Sequence, residues 1–570
     1  MTMSSSNSST TKEQEQISSK QSTEHLFQKQ PKQYHNIFIR YSILIISCFG
    51  SIMYCNFLCT SAILYHLKDK ISGNEKSQKP DIEQKTHGYI PRKAYDNLSE
   101  MKPSRDLQYY LKALNLDLQE FHVTTADGFI LTLHRIIDPK ETDDQREMRK
   151  PVFMQHGLFS SSGNWVVSGK NSLGYYFHEQ GYDVWLGNNR SFFRAKHETI
   201  KGDLYNSEAY WDWSIEELAY YDLPSMLNTV LVHKKKFKKL ILMGHSQGGL
   251  QSFMMLKNPY FKLLHEKIEL FVPIGPAIYP GPMFYTCDFI KFMHSRSKTS
   301  WLLLFGCCAF MRNLCLVRYY IAEYSLYGKL SYYFFKYVFG WYGYNWGQDK
   351  KVRHFLFVFV MSYASMELMK YYLSSSSEYG FTVMLQPKES YKNDDHFKVN
   401  KVNDSKSFFQ FDKTWFTGIK VPMLLFIGEK DHLVDAKKVA EHMRKYEPGY
   451  VEGNNFEAVE LTNYHHIDVA WAEDVIGSVG YVIIEKLKKM EEKEKIHPEI
   501  ITEPIENIDS VKVENVELTS SEDDVFVVTK DSLAQEQISD LGYNFKDQQI
   551  ITVKPLELEN IVLPQSVTAN

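Results

Sequence analysis

The pattern of apolar and polar positions predicts a core in which short strands alternate with helices. Apolar runs of strand length are separated by stretches with helical periodicity. The runs are "PVFMQHG" (151–157), "GYDVWLGNN" (181–189), "KLILMGHS" (239–246), "IELFVPIGP" (268–276) and "VPMLLFIGEKD" (421–431). Strands that alternate with helices indicate a mainly parallel sheet covered on both faces.

Local signals refine this prediction around the first strands. The stretch "FHVTTADGFILTLHRI" (121–136) predicts a β-hairpin, because two alternating runs flank Asp127-Gly128, a strong turn signal. Ser214 and Glu217 match a capping box, which marks the start of a helix. Pro224 suits the first turn of the helix that follows.

The alternation of strands and helices stops between about residues 280 and 415. This length predicts an inserted subdomain, 280–415, which divides the core into 92–279 and 416–490. The insert is strongly aromatic: in "YYFFKYVFGWYGYNW" (332–346), ten of fifteen residues are Phe, Tyr or Trp. These rings either contact lipid, where aromatic side chains are favoured, or form the core of the insert itself.

The N-terminal region predicts a membrane anchor. Residues 1–33 are rich in Ser, Gln, Thr and Lys and predict disorder, and 34–70 form the anchor region. Residues 41–65 are 25 residues without a charge, enough to span a bilayer as a helix. A hairpin in one leaflet and a buried core helix are the alternatives. The flanking Lys and Arg, three in 21–40 and five in 66–85, lean only slightly toward a cytosolic C-terminal side.

Charge and cysteine content narrow the function classes. The net charge is -4, but residues 490–570 hold 18 Asp and Glu against 6 Lys and Arg, so the segment 491–570 predicts an acidic, mostly disordered tail. Within it, only "DDVFVVT" suggests a short strand or docking motif. No basic patch indicates a nucleic-acid partner. The seven cysteines show neither a disulfide framework nor metal-ligand spacing, so we expect no metal and no cofactor.

The stretch "LILMGHSQGGLQS" (240–252) carries the candidate nucleophile. Ser246 lies between Gly244 and Gly248, after an apolar strand and before a helical segment. This strand–turn–helix setting is the one that a nucleophile elbow requires, whereas the motif alone is a weak signal. The alternative interpretation is an ordinary tight turn.

A serine nucleophile needs a base that a carboxylate orients, and in this fold the chain order is serine, acid, histidine. Asp431 follows a predicted strand in "FIGEKDHLVD", and His466 lies in "NYHHIDVAW". Asp435 is the competing acid and His465 the competing base. The alternative interpretation of each of these residues, considered alone, is a solvated loop residue without a catalytic role.

The intermediate formed by attack on an ester carries an oxyanion that needs two N–H donors. The backbone N–H of Gln247, next to the nucleophile, is one candidate, and the N–H of Leu158, in the loop "QHGLFSSSGNW", is the other. His156 precedes this loop, and its place at a strand end favours a structural hydrogen-bonding role over that of a general base.

The motifs resemble the acid lipase family. The blocks "FHVTTADGFILTLHRI", "QHGLFSSSGNWV", "GYDVWLGNNR", "GHSQGG", "GEKDHLVD" and "YHHIDVAW" follow in order from about Arg92 to Lys488. The blocks "YNSEAYWDWSIEELAYYDLP" and "GPAIYPGP" are most similar to the membrane-anchored fungal steryl ester hydrolases. The resemblance implies an α/β-hydrolase fold with a cap, Ser246, Asp431 and His466 as the triad, and an oxyanion hole at Leu158 and Gln247.

This resemblance implies a membrane-anchored serine esterase that acts on neutral lipid esters, chiefly steryl esters. Its expected place is the endoplasmic reticulum or lipid-droplet surface, with the plasma membrane as the alternative. Triacylglycerol is the competing substrate, and an acyltransferase with the same triad is the competing reaction. A catalytically inactive membrane adaptor is the alternative from another class. Three positions depart from the family pattern: Asn189 and Ser191, in a block where Gly-Asn-Ser-Arg-Gly is frequent, and the second histidine, His465.

Overall fold

A computed structural model describes residues 32–72, 86–347, 349–360, 362–375, 377, 380–381, 408–496 and 550–553. The chain forms two compact units, of which the first comprises Met1–Ile483 and Ile550–Asn570. The second unit, Ile484–Gln549, is described only as far as Ile496, where its residues continue a helix.

The first unit is built on one nine-stranded sheet with the order β8-β7-β6-β5-β3-β4-β2-β1-β9. Strands β3 to β8 are parallel to one another, β2 is antiparallel to β1 and β4, and β9 is parallel to β1. The strands are β1 (Asp117–Thr124), β2 (Ile130–Ile137), β3 (Lys150–Gln155), β4 (Tyr182–Gly187), β5 (Leu240–His245), β6 (Ile268–Ile274), β7 (Met423–Gly428), β8 (Phe456–Leu461) and β9 (Ile550–Val553).

This sheet confirms the predicted fold class. The five predicted apolar runs correspond to β3 through β7, and residues 121–136 form the predicted hairpin of β1 and β2. Strand β8 carries Glu457 and Glu460 on partly exposed positions at the sheet edge, so no continuous apolar run marks it. Strand β9 lies within the predicted tail, and "DDVFVVT" (523–529) lies outside the described residues.

Helices connect the strands and pack against them, and local sequence signals set where they begin. The N–H of Ser214 donates to Glu217 Oε2 at 2.7 Å, as the capping box requires, and Pro224 lies in the first turn of its helix. The described helices of six or more residues are α1 (Ile37–Ile71), α2 (Leu107–Lys112), α3 (Leu173–Glu179), α4 (Leu223–His233), α5 (Gln247–Lys257), α6 (Asp288–His294), α7 (Lys298–Phe305), α8 (Arg312–Ile321), α9 (Ser325–Val338), α10 (Lys350–Val358), α11 (Met366–Leu373), α12 (Ala436–Tyr446) and α13 (Tyr481–Ile496).

The predicted insert is helical where it is described. Helices α6 to α11 lie between β6 and β7, in the stretch that we call the cap. Of the ten aromatic residues in 332–346, only Tyr342 is more than one-third exposed, and Trp341 and Trp346 are buried. Trp341 and Trp346 therefore serve as packing groups, and the other seven rings are partly buried.

Helix α1 is the one helix in the described residues that is long and apolar enough to cross a membrane. Its Asn36 cap accepts the N–H of Ile39, and Lys68 and Lys70 lie in its last turn. One face is buried, at Ile43, Ser47, Ser51, Leu58 and Ala62. The opposite face exposes large apolar side chains, among them Phe49, Met53 and Phe57.

Candidate active site

The strand–helix turn at Ser246 has the strained geometry of a nucleophile elbow. Ser246 has φ 54° and ψ -115°, a conformation that residues other than glycine rarely adopt. A Cβ at Gly244 would lie 2.6 Å from the backbone of Gly248. A Cβ at Gly248 would lie 2.4 Å from the carbonyl oxygen of Gln155. Both glycines are therefore required for the close approach of helix α5 to strands β5 and β3.

The structure brings the three predicted triad residues together. The Oγ of Ser246 lies 2.9 Å from Nε2 of His466, and Nδ1 of the same ring lies 2.7 Å from Oδ2 of Asp431. All three side chains are buried or nearly so. A histidine held in this way can take the proton of a serine hydroxyl while the carboxylate stabilises the imidazolium that forms.

The orientation of Asp431 is set by the turn that follows strand β7. Its Oδ1 accepts the backbone N–H groups of Leu433 and Val434, at 3.0 and 3.1 Å, which leaves Oδ2 for the histidine. Asp435, the competing acid, instead caps helix α12 by accepting the N–H of Lys438. Asp431 is therefore the aspartate that contacts the histidine, whereas Asp435 has a structural role at the start of helix α12.

The second histidine does not face the serine. The backbone N–H of His465 donates to Asp468 Oδ2 at 2.8 Å, and its ring lies near His432 and Tyr342, with ring centroids 6.2 and 6.5 Å away. Only His466 among the paired histidines has a hydrogen bond to Ser246 in the described structure.

The candidate oxyanion hole adjoins the nucleophile on two sides. Gln247 is the first residue of helix α5, where backbone N–H groups have no intrahelical acceptor. The loop with Leu158 lies against the serine, since a Cβ at Gly157 would be 3.0 Å from Ser246 Cβ. Within the described residues, neither the Gln247 N–H nor the Leu158 N–H has an acceptor, so both are available to an oxyanion.

Two further buried histidines support the site without facing the substrate. His156 Nδ1 lies 2.8 Å from the carbonyl oxygen of Gly157, and His245 Nε2 lies 3.1 Å from the carbonyl oxygen of His466. Burial lowers the pKa of His156 to about 4 and that of His245 to about 3. Both rings are thus neutral at physiological pH and serve as hydrogen-bonding groups, as the sequence predicts for His156.

The cap contributes a segment that the sequence did not identify as part of the site. The Trp341 ring stacks near His466, with centroids 6.0 Å apart and planes 26° apart. Asn345 Nδ2 and Trp346 Nε1 donate to Asp468 at 2.9 and 2.5 Å, which ties the cap to the histidine loop. The only sequence signal was the aromatic run itself, and its composition does not distinguish a ring above the triad from a ring on the surface.

Asp468 is the buried group on which this connection depends. Besides the two cap donors it accepts the N–H of His465, the neighbour of His466. Burial raises the pKa of Asp468 to about 6. The carboxylate therefore holds the histidine loop and the cap in one arrangement.

Asn189, one of the positions that depart from the family pattern, lies behind the site, and its side chain makes hydrogen bonds there. Its side-chain amide pairs with that of Gln251, with both hydrogen bonds at 3.2 Å. The adjacent Arg190 is buried between Asp127 and Asp222 and stacks on Phe129. These contacts secure the loop after β4 to the nucleophile helix and the hairpin turn.

Comparison with known proteins agrees with this architecture. The chain matches the family models described as a partial alpha/beta-hydrolase lipase region, over residues 107–169, and as the alpha/beta hydrolase fold, over 150–268. It is 32% identical over 419 residues to sterol esterase 2 of Saccharomyces cerevisiae, covering 70% of this chain and 75% of that protein.

Two further relatives extend the comparison. A probable lipase of Schizosaccharomyces pombe is 29% identical over 415 residues, with 70% of this chain and 84% of that protein covered. Gastric triacylglycerol lipase of Bos taurus is 39% identical over 160 residues, with 28% of this chain and 39% of that protein covered. The chain therefore belongs to the acid lipase family of α/β-hydrolases and is a carboxylic ester hydrolase that acts on lipid esters.

Proposed function

We propose that this protein hydrolyses steryl esters to free sterol and fatty acid at a membrane or lipid-droplet surface. The hydrogen-bonded series Ser246–His466–Asp431 carries the proposal for the chemistry. The similarity to sterol esterase 2 over most of both chains supports the substrate class.

The proposed reaction has two steps. The Oγ of Ser246 attacks the ester carbonyl carbon as its proton passes to Nε2 of His466, and the oxyanion takes hydrogen bonds from the N–H groups of Leu158 and Gln247. Collapse of this intermediate transfers the proton to the sterol oxygen, which leaves as the alcohol. Water, deprotonated by His466, then attacks the acyl-serine, and the fatty acid departs as Ser246 regains its proton.

The surroundings of the triad suit a bulky apolar ester. Trp341 of the cap lies beside His466. A cap that closes over the reacting atoms would exclude water and so strengthen the oxyanion interactions. Steryl esters are nearly insoluble, so the enzyme must meet them at a lipid surface. The exposed apolar face of helix α1 provides the attachment.

The substrate proposal is tested by comparing steryl oleate with triolein in matched emulsions. We expect kcat/KM for steryl oleate to exceed that for triolein by roughly tenfold or more, since a pocket that fits a rigid ring system discriminates against a flexible glyceride. The Ser246→Ala variant provides the background. A preference for triolein would reassign the substrate to triacylglycerol, and release of new steryl or acyl esters instead of fatty acid would indicate acyl transfer.

We expect Asp431→Asn to lower kcat on a soluble short-chain ester by roughly 10⁴-fold, because the amide would hold the imidazole in the wrong tautomer. Asp435→Asn is the matched control four residues away. It should change kcat by less than about twofold, since an asparagine also caps helix α12. A larger loss for Asp435→Asn than for Asp431→Asn would exchange the roles of the two residues.

A further inference from the structure

Helix α1 is held against the cap by close contacts along one face. Ser51 Oγ donates to the carbonyl oxygen of Leu304 at 2.8 Å, and a Cβ at Gly50 would lie 3.2 Å from Leu304 Cα. Small side chains thus let the backbones of α1 and α7 approach closely. Next to them, the Tyr54 ring packs among those of Phe289, Phe292 and Phe305, with centroids 5.5 to 5.8 Å apart.

Both ends of α1 are fastened to the same unit that carries the triad. Before its first turn, His35 Nδ1 lies 3.0 Å from the buried Glu208, and Lys32 Nζ lies 2.8 Å from Glu367. Near its last turn, His66 Nδ1 lies 3.2 Å from the Tyr337 hydroxyl. At 1.5 Å per residue, the part of α1 between Ile37 and His66 is about 44 Å long, more than the ~30 Å thickness of the hydrocarbon layer.

If α1 crossed a bilayer while it remained docked, the cap helices packed against it would also have to enter the membrane. The helices α7 to α9, which pack along α1, carry charged side chains, among them Arg312, Lys329 and Lys336. Charged side chains are strongly disfavoured at the centre of a membrane. The two ends of α1 would also have to lie on opposite sides of the membrane, whereas both contact one folded unit.

We propose that α1 lies in the plane of the membrane as part of the cap and enters one lipid leaflet. Its outward face, with Phe49, Met53, Phe57 and Leu64, contacts acyl chains. The exposed Phe292 and Leu303 continue this apolar face onto the cap, directly beside Tyr54 and Gly50. Burying each such side chain in lipid removes apolar surface from water and so favours membrane binding.

This arrangement has a consequence for the substrate surface. A lipid droplet is bounded by a single leaflet. A spanning helix with polar ends cannot be accommodated in one leaflet, whereas a helix that lies in the membrane plane can. The cap then lies against the leaflet from which the ester is taken. The triad is close to the cap, because Trp341 of the cap lies beside His466. The inference extends the membrane attachment proposed above and rests on it, but it does not depend on which lipid ester is cleaved.

The orientation is tested with the full-length chain in sealed membrane vesicles. Gln33→Cys and Lys70→Cys each place one thiol at an exposed position beyond or near one end of α1. A membrane-impermeant maleimide is added before and after detergent, and the unmodified chain gives the background from its seven native cysteines. We expect both new thiols to show the same sidedness, with labelling ratios that agree within about twofold. One thiol reacting in sealed vesicles and the other only after detergent would overturn the proposal.

The docking of α1 on the cap is tested by cross-linking. A Cβ at Gly306 would lie 3.7 Å from Ser47 Cβ, within the range for a disulfide. Gly306 has φ 92°, a conformation that strains other residues, so each Gly306→Cys variant is first shown to be folded by its hydrolysis of a soluble short-chain ester. We expect Ser47→Cys with Gly306→Cys to form an intramolecular disulfide in oxidised vesicles, detected by peptide mass spectrometry. Phe49→Cys with Gly306→Cys is the matched control and should not cross-link, because Phe49 faces outward.

The outcomes separate this proposal from the proposed function. A Ser47–Gly306 pair that cross-links in detergent but not in vesicles would mean that α1 leaves the cap on insertion, which would overturn the in-plane arrangement. Recovery of the chain in the soluble fraction after an alkaline wash would overturn both the arrangement and the membrane attachment. Steryl oleate hydrolysis, measured on the same vesicles, tests the substrate proposal separately.

Discussion

Replacing Ser246 by alanine should lower kcat on a soluble short-chain ester on the order of 10⁶-fold, the size of the loss when a serine protease loses its nucleophile. The expected cause is loss of the Oγ that lies 2.9 Å from His466 Nε2. The oxyanion hole and substrate binding remain, so a residual acceleration of roughly 10³-fold over water is expected. A fluorophosphonate should label the unmodified chain and not the variant.

Ser252→Ala is the matched control for the removal of a buried serine hydroxyl. Ser252 lies on the same helix, and its Oγ donates to the carbonyl oxygen of Gly248 at 2.7 Å. We expect a loss of about 1 kcal/mol in the free energy of unfolding and no change in labelling. Circular dichroism should show both variants folded. Labelling that persists in a folded Ser246→Ala protein would place the nucleophile elsewhere.

Much of the core was predictable because a parallel sheet has strong local signals. Strands β3 to β7 are buried on both faces, so each one is a continuous apolar run. The positions of Ser246 and Asp431 at strand ends followed from the same pattern. His466, which follows β8, was predicted from the chain order serine, acid, histidine. Strand β8 was not predictable, because an edge strand with exposed glutamates lacks this signal.

The cap was less predictable because its role depends on tertiary contacts. The aromatic run 332–346 has the composition of a lipid-binding segment, yet Trp341 packs against His466 and Trp346 binds Asp468. The apolar segment predicted as an anchor likewise gave no sign that Ser47, Gly50 and Ser51 would form a surface for helix α7. Small residues interrupting an apolar helix indicate a hairpin and a helix contact equally well, and only the position of the partner decides between them.

The sequence alone did not decide whether His465 or His466 is the catalytic base. The structure assigns this role to His466, which leads to the second prediction with a large effect on kcat. We expect His466→Ala to lower kcat on a soluble ester by about 10⁶-fold, as much as loss of the serine, because the two residues act as one unit. The Ser246 hydroxyl would keep its position but have no base, so fluorophosphonate labelling should also fall to background.

His465→Ala is the matched control one residue away, and it should keep most of the activity, with a loss of kcat below about tenfold. Its backbone N–H, which donates to Asp468, survives the substitution, so the histidine loop stays attached to the cap. The ring that is lost packs near Tyr342 and His432 and has no hydrogen bond to the serine in the described structure. A folded His465→Ala protein that is inactive, beside an active His466→Ala protein, would show that the other imidazole is the base.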